Sequence, residues 1–493
     1  HYRILFIRTD FLMLNLRPVV YILGWISCAM AAMLCLPAII DAVFHNAEWE
    51  VFLLTAIVAL FIGGVSIYAT RPKGRPEIGL RQSFLITSLG WIVVCLWSAP
   101  PFMHVGIDFS DAVFESMSAI TTTGSTVLTH LDSMPPGILL WRAILQWFGG
   151  IGIIAIAILI LPLLRIGGMQ LFKIESSDTS EEKVFNALRT VIAVFSVYVG
   201  LTVACAVLFE VFGMNSFDAI THAMTTLSTG GFSTHDDSFA FFKDLRLHWI
   251  ATIFMIAGSI PFILYIKTIN GQWTSLFKDQ QVQGFMLFLV LVSLLMALWL
   301  TGQRDIDFFQ ALTLTTFNIV SVVTTTGFAS EDYTTWGTGA VGVFLVLMFV
   351  GGCSGSTAGA IKIYRHQILL LLVRAHIKRL FSPNRVIPLR YNGKPLPADV
   401  PNSVLSFLAV YVATIAVFTV LLSLMGLDIV TAYSATITAI GNVGPGIGNV
   451  IGPAGNFSTL PDAAKWILVM AMLAGRLEVL AILVVFDPDF WRT

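Results

Sequence analysis

Long apolar runs alternate with short polar segments along almost the whole chain. Several of these runs exceed the roughly 18 residues that a helix needs to cross a bilayer, and the first two lie at about 19–43 and 51–70. Shorter apolar segments lie between the later runs, and helices of that length are suited to enter a membrane without crossing it. The pattern predicts an all-α polytopic membrane protein with ten spans.

After residue 78, one unit recurs four times: a long span, a short helix, a glycine turn and a second span. In chain order, the predicted helices of the four units are 82–103, 111–121 and 141–164; 184–212, 217–227 and 249–266; 282–301, 308–323 and 339–361; and 403–425, 429–439 and 464–486. We therefore divide the chain into a two-helix extension, residues 1–78, and four pseudo-symmetric repeats, residues 79–178, 179–278, 279–394 and 395–493.

The four glycine turns have related sequences. They are Ser118-Ala-Ile-Thr-Thr-Thr-Gly124, Thr225-Thr-Leu-Ser-Thr-Gly-Gly231, Ser321-Val-Val-Thr-Thr-Thr-Gly327 and Thr438-Ala-Ile-Gly-Asn-Val-Gly444. Each has a serine or threonine six residues before its last glycine. One copy would be ordinary at a helix end, where Ser, Thr and Gly are common. Four copies in register predict four loops around a single axis.

A ring of such loops has a specific chemistry. A dehydrated cation needs several oxygen ligands at once, and a non-helical backbone that contains glycine can turn its carbonyl groups toward the axis. Irregular backbone at membrane depth is tolerated only where it lines a water-filled path or is buried in protein. The turns therefore indicate an ion filter in one pore.

Composition agrees with a membrane protein. Of the 493 residues, 56% are hydrophobic and 12% are charged, whereas soluble domains have roughly 25% charged residues. The five cysteines are scattered through apolar runs without CxxC spacing. We interpret them as packing residues and not as a metal site or a disulfide framework. No covalently bound cofactor is expected.

The charges are sorted between the two sides of the predicted spans. Lysine and arginine concentrate on one side, in the segments 71–81, 165–189, 267–278 and 362–394. The positive-inside rule makes this side cytoplasmic, together with both termini, and places the glycine turns toward the outside. The outer loops are acidic, which concentrates cations at the mouth. Asp111 and Asp218 can also cap the short helices, and the two roles are compatible.

The four turns and the segment Gly351-Gly-Cys-Ser-Gly-Ser-Thr-Ala-Gly-Ala-Ile-Lys362 resemble the Trk/Ktr/HKT potassium transporters. The two extra N-terminal helices resemble the TrkH/TrkG branch of that family. The resemblance covers about residues 19–486. It implies a homodimer of the bacterial inner membrane, not an enzyme, that passes K⁺ inward and admits Rb⁺ and, weakly, Na⁺. It also implies a cytosolic gating ring of the TrkA type, which carries the nucleotide (NAD, ATP or ADP).

The same resemblance assigns the filter to four residues of each turn. They are Thr121, Thr122, Thr123 and Gly124; Ser228, Thr229, Gly230 and Gly231; Thr324, Thr325, Thr326 and Gly327; and Gly441, Asn442, Val443 and Gly444. Glycine at the last position of all four turns resembles the potassium-selective members, whereas relatives that favour sodium tend to have serine in the first copy. The fourth copy departs from the threonine-rich pattern, as is usual for this branch.

A gate is expected just below the filter. The family's gating loop matches residues 351–359, and the residues assigned to the gate are Gly351, Gly352, Ser354, Gly355, Ser356, Thr357, Gly359 and Arg476. Small residues in this run also suit close helix packing. Arg476 lies inside an apolar span, where a charge is functional by default, and the family's arginine there faces the pore and helps hold it shut. It can also bind carbonyl groups of the interrupted helix. Glu478 lies on another face, so we expect no direct pair with Arg476.

Other functions fit less well. Gly352-Cys-Ser354-Gly355 matches the GxSG motif of intramembrane serine proteases, but the later spans contain no histidine to act as the base. The same segment lacks the GKS or GKT ending of a nucleotide loop, and no basic–aromatic pattern indicates nucleic acid. The basic segment 362–394 suits either anionic lipid headgroups or a cytosolic partner. The main alternative is a secondary transporter with alternating access, coupled to protons or sodium. Four repeats of one orientation favour a continuous pore.

Overall fold

The computed structural model describes residues 14–72, 74, 78–159 and 180–491, and nearly all of these residues are helical or in short connections. Within them, seven helices are long and apolar enough to cross a membrane, or nine if each of two bent helix pairs counts as one span. Parts of the predicted basic loops, including Lys73, Arg75, Arg165 and Lys173, lie outside the described residues.

The N-terminal extension is a pair of helices, α1 (Arg17–Val43) and α2 (Trp49–Thr70). They pack face to face at Gly24 and Gly63. The backbones approach so closely there that a methyl group on either residue would lie within 2.9 Å of the other's carbonyl oxygen. Small residues that let two backbones approach closely are typical of helix contacts in membranes. The pair packs on the first helix of the first repeat.

Each repeat begins with a long helix followed by a short one. The long helices are α3 (Leu80–His104), α6 (Ser180–Val211), α11 (Gln280–Arg304) and α15 (Val400–Leu424). The short helices are α4 (Phe109–Ile120), α7 (Ser216–Leu227), α12 (Phe308–Val323) and α16 (Ile429–Gly441). The C-terminal turns of the short helices are buried, so these helices enter the centre of the protein and stop there.

The second helices differ between the repeats, and the continuous spans predicted for 249–266, 339–361 and 464–486 are wrong. In the first repeat α5 (Pro136–Leu159) is unbroken. In the second, α8 (Leu245–Gly258) and α9 (Phe262–Ile269) meet at 91°, because Pro261 begins the second piece and cannot continue a helix. In the fourth, α17 (Asp462–Arg476) and α18 (Leu480–Phe486) meet at 111°.

In the third repeat the second helix is interrupted by a long non-helical stretch. Helix α13 (Thr338–Leu347) is followed by residues 348–362, called the interrupting segment below, and then by α14 (Ile363–Phe381). The ends of this segment pair in parallel as two short strands, β1 (Val350–Gly351) and β2 (Ile361–Lys362). Its glycines and short polar residues are poor helix formers.

Smaller elements complete the described chain. Helix α10 (Ser275–Lys278) lies between α9 and α11. A two-residue antiparallel hairpin of β3 (Arg390–Tyr391) and β4 (Lys394–Pro395) precedes the fourth repeat, and α19 (Pro488–Trp491) follows it. The two pairs of short strands are local exceptions to the all-α prediction.

The repeats are arranged in a cycle. Helix α7 packs on α5, α12 on α8, and α4 on α17. Each of these short helices therefore contacts the second helix of the preceding repeat, and the first repeat contacts the fourth. The chain closes on itself around a centre at which the short helices end.

Candidate functional site

All four short helices end with the same backbone turn. The amide of the residue before the last glycine donates to the carbonyl of the serine or threonine six residues before that glycine. The four bonds are Thr123 to Ser118 (2.9 Å), Gly230 to Thr225 (2.9 Å), Thr326 to Ser321 (2.8 Å) and Val443 to Thr438 (3.0 Å). This six-to-one bond is the Schellman motif that ends many helices. The serine or threonine that marks the register in the sequence is thus the residue whose carbonyl closes the turn.

The residue two positions before each glycine has left-handed backbone geometry. These residues are Thr122 (φ 52°), Thr229 (φ 50°), Thr325 (φ 58°) and Asn442 (φ 52°), and the glycines Gly124, Gly231, Gly327 and Gly444 have φ between 73° and 116°. Asparagine adopts this geometry readily, but it is strained for β-branched threonine. Strain of this kind concentrates at functional sites.

The glycines bring the four turns into one closed ring. A methyl group on each would overlap a carbonyl oxygen of the next turn: Gly124 faces Gly230, Gly231 faces Thr326, Gly327 faces Val443, and Gly444 faces Thr123. The contacts therefore run from the first turn to the second, third and fourth and back to the first. The structure brings all sixteen residues assigned to the filter together, and only glycine permits this approach.

Side-chain hydroxyl groups hold the first and third turns in shape. The hydroxyl oxygens of Thr121 and Thr123 lie 2.8 Å apart, as do those of Thr324 and Thr326. We call each pair a threonine clasp. In the fourth turn the Asn442 amide donates to the hydroxyl of Thr123 at 2.9 Å, which joins the fourth turn to the first.

The interrupting segment lies beside the ring, and its residues assigned to the gate have two kinds of neighbour. The Ser354 amide donates to the Gln281 side chain of α11 at 2.9 Å, and the Ser356 hydroxyl donates to the Cys353 carbonyl within the segment at 2.6 Å. Gly351 faces the Gly359 carbonyl, also within the segment. Gly352 and Gly355 pack at the bend between α8 and α9 rather than on the turns. There the Cys353 amide donates to the Ser259 carbonyl at 2.9 Å, and the Phe262 amide donates to the Gly355 carbonyl at 3.0 Å. The segment thus supplies hydrogen bonds that the broken helix cannot make internally.

Thr357 and Gly359 contact the turns themselves. The hydroxyl of Thr357 donates to the Gly258 carbonyl at 2.9 Å and lies 3.1 Å from the hydroxyl of Thr229. The Gly359 amide donates to the hydroxyl of Thr325 at 2.6 Å. The amide of the next residue, Ala360, donates to the carbonyl of Gly441 in the fourth turn at 2.8 Å. The segment is therefore hydrogen-bonded to three of the four turns.

Arg476 joins the interrupting segment to the first repeat. Its guanidinium is buried and donates to the carbonyls of Thr357 (3.0 Å) and Gly149 (3.4 Å). Within the described residues its Nε has no hydrogen-bond partner. Glu478 pairs with Arg365, and the absence of a direct Arg476–Glu478 pair among the described residues agrees with the sequence prediction. Residues 365 and 478 are distant in the chain, so no sequence pattern points to this pair.

A small cavity of about 30 Å³ lies between the interrupting segment and α17. Its lining includes Gly359, Asn442, Gly475 and Arg476. A cavity of this size holds one or two water molecules. The space directly under the fourth turn is thus narrow and lies beside the positive charge of Arg476.

Two charged side chains behind the ring escape sequence-based prediction. Arg142 on α5 pairs with Glu115 on α4 at 2.8 Å, and both side chains are almost fully buried. Glu115 also accepts the amide of Val127 at 2.9 Å, and Arg142 donates to the Ser233 carbonyl at 2.8 Å. The charge of Arg142 inside an apolar span was the available signal.

Asp111 and Asp218 have specific partners. The N-cap role considered for them is wrong, although both lie in the first turn of their helices, where a negative charge favours the helix dipole. The N-cap positions of the short helices are occupied by residues that come earlier in the chain, Asp108, Asn215, Asp307 and Asp428. Asp111 forms an ion pair with Lys465. Asp218 accepts from Thr234 at 2.6 Å and contacts His235.

His235 connects two aspartates of the outer mouth, Asp132 and Asp218. Burial would lower the pKa of His235, but its hydrogen bonds with the two carboxylates outweigh burial and raise the pKa above its ordinary value. The hydrogen bond with His235 lowers the pKa of Asp132.

The neighbouring His222 is buried and bonded to the Asp218 carbonyl and the Ser233 hydroxyl, as expected of a packed residue. Among the described residues, no group of three His, Cys, Asp or Glu side chains could hold a metal ion.

The comparisons with known proteins agree, because the family model, the relatives and the solved structure that match this chain are all Trk proteins. A family model described as "TrkH: Cation transport protein" matches residues 49–492. The Trk system potassium uptake protein TrkI of Halomonas elongata is 43% identical over 480 residues, 96% of this chain and 97% of that protein. TrkH of Escherichia coli K12 is 34% identical over 490 residues, 97% of this chain and 100% of that protein. The crystal structure of the potassium transporter TrkH from Vibrio parahaemolyticus matches with a TM-score of 0.90 at 34% identity, over 97% of this chain and 100% of that one.

Proposed function

The chain belongs to the TrkH family of cation transport proteins, and from this membership we propose that it takes up potassium through the ring of four turns. The relatives named above are potassium uptake proteins or a potassium transporter by name, and they match over nearly the full length of this chain. The family resemblance and the all-helical, multi-span fold expected from the sequence are confirmed. The protein is a transporter and not an enzyme.

One observation carries this proposal: the closed cycle in which each glycine of the ring faces a carbonyl oxygen of the next turn. Four turns with the same hydrogen bond, and with left-handed geometry at the same position, surround one axis. Such a ring offers backbone and hydroxyl oxygens in a nearly four-fold arrangement, which is how a dehydrated K⁺ replaces its water shell. The sixteen filter residues are the proposed ion ligands.

The proposed gate consists of the interrupting segment and Arg476. The segment is hydrogen-bonded to three turns, and Arg476 donates to its backbone at Thr357. A fixed positive charge beside the ion path raises the energy of a cation there, and low dielectric surroundings strengthen the effect. Opening would require the segment and Arg476 to move away from the ring.

Control of this gate is proposed to come from the cytosol. Helix α14 begins directly after the interrupting segment, and Arg374, Lys378 and Arg379 on it are exposed. A partner that binds this basic helix could therefore pull on the segment. We propose the TrkA-type ring with bound NAD, ATP or ADP as this partner, a homodimer as the assembly, and the bacterial inner membrane with both termini cytoplasmic as the setting. These assignments rest on the family.

The function is tested by cation flux into proteoliposomes, comparing K⁺, Rb⁺, Na⁺ and Li⁺ for the parent protein and Gly124→Ser. We expect K⁺ and Rb⁺ to enter well ahead of Na⁺, and this preference to fall in the variant, because a side chain at Gly124 overlaps the Gly230 carbonyl. The control is Gly106→Ser. Gly106 also has a positive φ, 92°, but an added side-chain atom there meets nothing within 4 Å. Equal flux of all four cations, or an unchanged preference in Gly124→Ser, would contradict the filter assignment.

A further inference from the structure

The second turn of the ring lacks the threonine clasp of the first and third turns. At the two positions that form the clasp, it has Ser228 and Gly230. Gly230 has no side chain, and glycine is the residue with the greatest backbone freedom. The hydroxyl groups of Ser228 and Thr229 donate to the backbone carbonyls of Thr225 (3.3 Å) and Ser228 (2.8 Å), so no side-chain bond within the turn reaches residue 230.

A side chain from a neighbouring repeat occupies the vacated position. Gln146 of α5 is fully buried. Its amide nitrogen donates to the Gly230 carbonyl at 2.7 Å, and its amide oxygen accepts from the Phe232 amide at 3.0 Å. A methyl group on Gly230 would overlap the Gln146 side chain. Gln146 can therefore occupy this position only because residue 230 has no side chain.

The preceding turn of α5 contacts the residues of this loop that follow Gly231. Arg142 lies one helical turn before Gln146, and its guanidinium carbon lies 3.9 Å from the centre of the Phe232 ring. Arg142 also donates to the Ser233 carbonyl and pairs with Glu115. One face of α5, in the first repeat, therefore binds the second turn on both sides of Gly231.

The other repeats have no equivalent of these two side chains where the register can be compared. In three repeats, a glycine of the second helix faces a carbonyl in the last turn of the short helix of the same repeat. Gly149 faces Ile120, Gly258 faces Leu227, and Gly475 faces Ile440. Gln146 and Arg142 lie three and seven residues before Gly149. The corresponding residues are Met255 and Ala251 before Gly258, and Met472 and Leu468 before Gly475. Among these three repeats, polar side-chain contacts from these positions are therefore made in the first alone.

We propose that Gln146 is a positioning residue of the filter, which replaces the threonine clasp and fixes the Gly230 carbonyl in the second turn. This inference rests on the proposed function. The Gly230 carbonyl is also the atom that Gly124 faces, so a displacement of Gly230 disturbs the contact between the first and second turns. Selectivity between K⁺ and Na⁺ depends on the number and spacing of the ring's oxygens, and Gln146 acts on it without touching the ion.

The test compares three variants in proteoliposomes by the ratio of Rb⁺ to Na⁺ uptake. Gln146→Met keeps the side-chain volume but removes both hydrogen bonds, and we expect the ratio to fall by about fivefold or more, since one net hydrogen bond corresponds to roughly that factor. Gly230→Thr should also lower the ratio, because the new side chain overlaps Gln146. The double variant Gln146→Ala/Gly230→Thr makes room for a hydroxyl beside Ser228, which recreates the clasp.

The double variant decides whether Gln146 has a positioning role or only a structural one. If Gln146 replaces the clasp, the double variant has a higher Rb⁺/Na⁺ ratio than either single variant. Met255→Leu, at the corresponding position of the second repeat, is the control and should leave the ratio unchanged. A ratio in the double variant that is no higher than in either single variant, or a parental ratio in Gln146→Met, would overturn the inference while potassium uptake by the parent stands. No cation preference in the parent would refute the proposed function and this inference together.

Discussion

Replacing Thr325 with valine should make the transporter leak. The Thr325 hydroxyl accepts the Gly359 amide at 2.6 Å, and this bond joins the third turn to the interrupting segment. Valine has nearly the same shape, so the ring keeps its packing while the segment loses one hydrogen bond. Both threonine and valine are β-branched, so the cost of the left-handed φ of 58° at this position is similar for the two.

The magnitude follows from the group that is left without a partner. A net hydrogen bond is worth about 1 kcal/mol, and an unsatisfied buried amide costs up to about 3 kcal/mol. Gly359 is partly buried, so we expect a value between these limits. If the docked segment closes the pore, the closed state is weakened by the same amount. Flux in the absence of any partner should then rise by roughly fivefold to a hundredfold.

The assay is Rb⁺ uptake into proteoliposomes that contain only this chain, with Thr122→Val as the matched control. Thr122 has the same place in the first turn and a similar φ, 52°, but its hydroxyl has no hydrogen-bond partner among the described residues. Any effect of valine on the ring itself is common to both variants. Uptake by Thr325→Val that does not exceed uptake by Thr122→Val would refute the docking of the segment as the closing contact.

Three further predictions concern charged side chains. Arg476→Gln removes a charged donor to the Thr357 carbonyl, so Rb⁺ leak should rise by about tenfold or more; unchanged leak would exclude Arg476 from the gate. Glu115→Gln leaves Arg142 buried without its counter-charge and should cost about 3–5 kcal/mol, seen as a lower unfolding temperature in detergent; an unchanged temperature would show that the pair is dispensable. The two aspartate partners of His235 raise its pKa above 6.5. The stabilising contribution of protonated His235 is therefore complete below about pH 6.5 and is lost as the pH rises through the raised pKa. His235→Gln should flatten this part of the curve of stability against pH, and an unaltered curve would contradict the assignment.

The sequence pattern was sufficient for the regular parts of the fold. The short helix Phe308–Val323 has the predicted bounds, because its apolar run ends at a threonine-rich turn that a helix does not continue through. The four turns lie together as the repeated register predicts, because related segments in related positions take related places in a pseudo-symmetric fold. The division into four repeats at residues 78, 178, 278 and 394 stays a prediction.

Other features depend on contacts that a sequence does not reveal. The bend between α17 and α18 involves Glu478 and Val479 with positive φ, and Glu478 is held by Arg365, far away in the chain. The left-handed threonines of the ring are contrary to local preference, so no propensity predicts them. In the sequence, Gln146 is a polar residue within an apolar helix, and its two bonds to the second turn exist only in the folded chain. Roles of this kind arise only when distant segments meet.

The most direct test of the central claim is to locate the ion. A crystal structure of the protein grown in RbCl, with anomalous diffraction collected at the rubidium edge, shows where the cation binds. We expect anomalous peaks on the axis of the ring, between the turns that end at Gly124, Gly231, Gly327 and Gly444, and their loss when RbCl is replaced by NaCl. Rubidium bound elsewhere, with none inside the ring, would contradict the assignment of the four turns as the potassium filter.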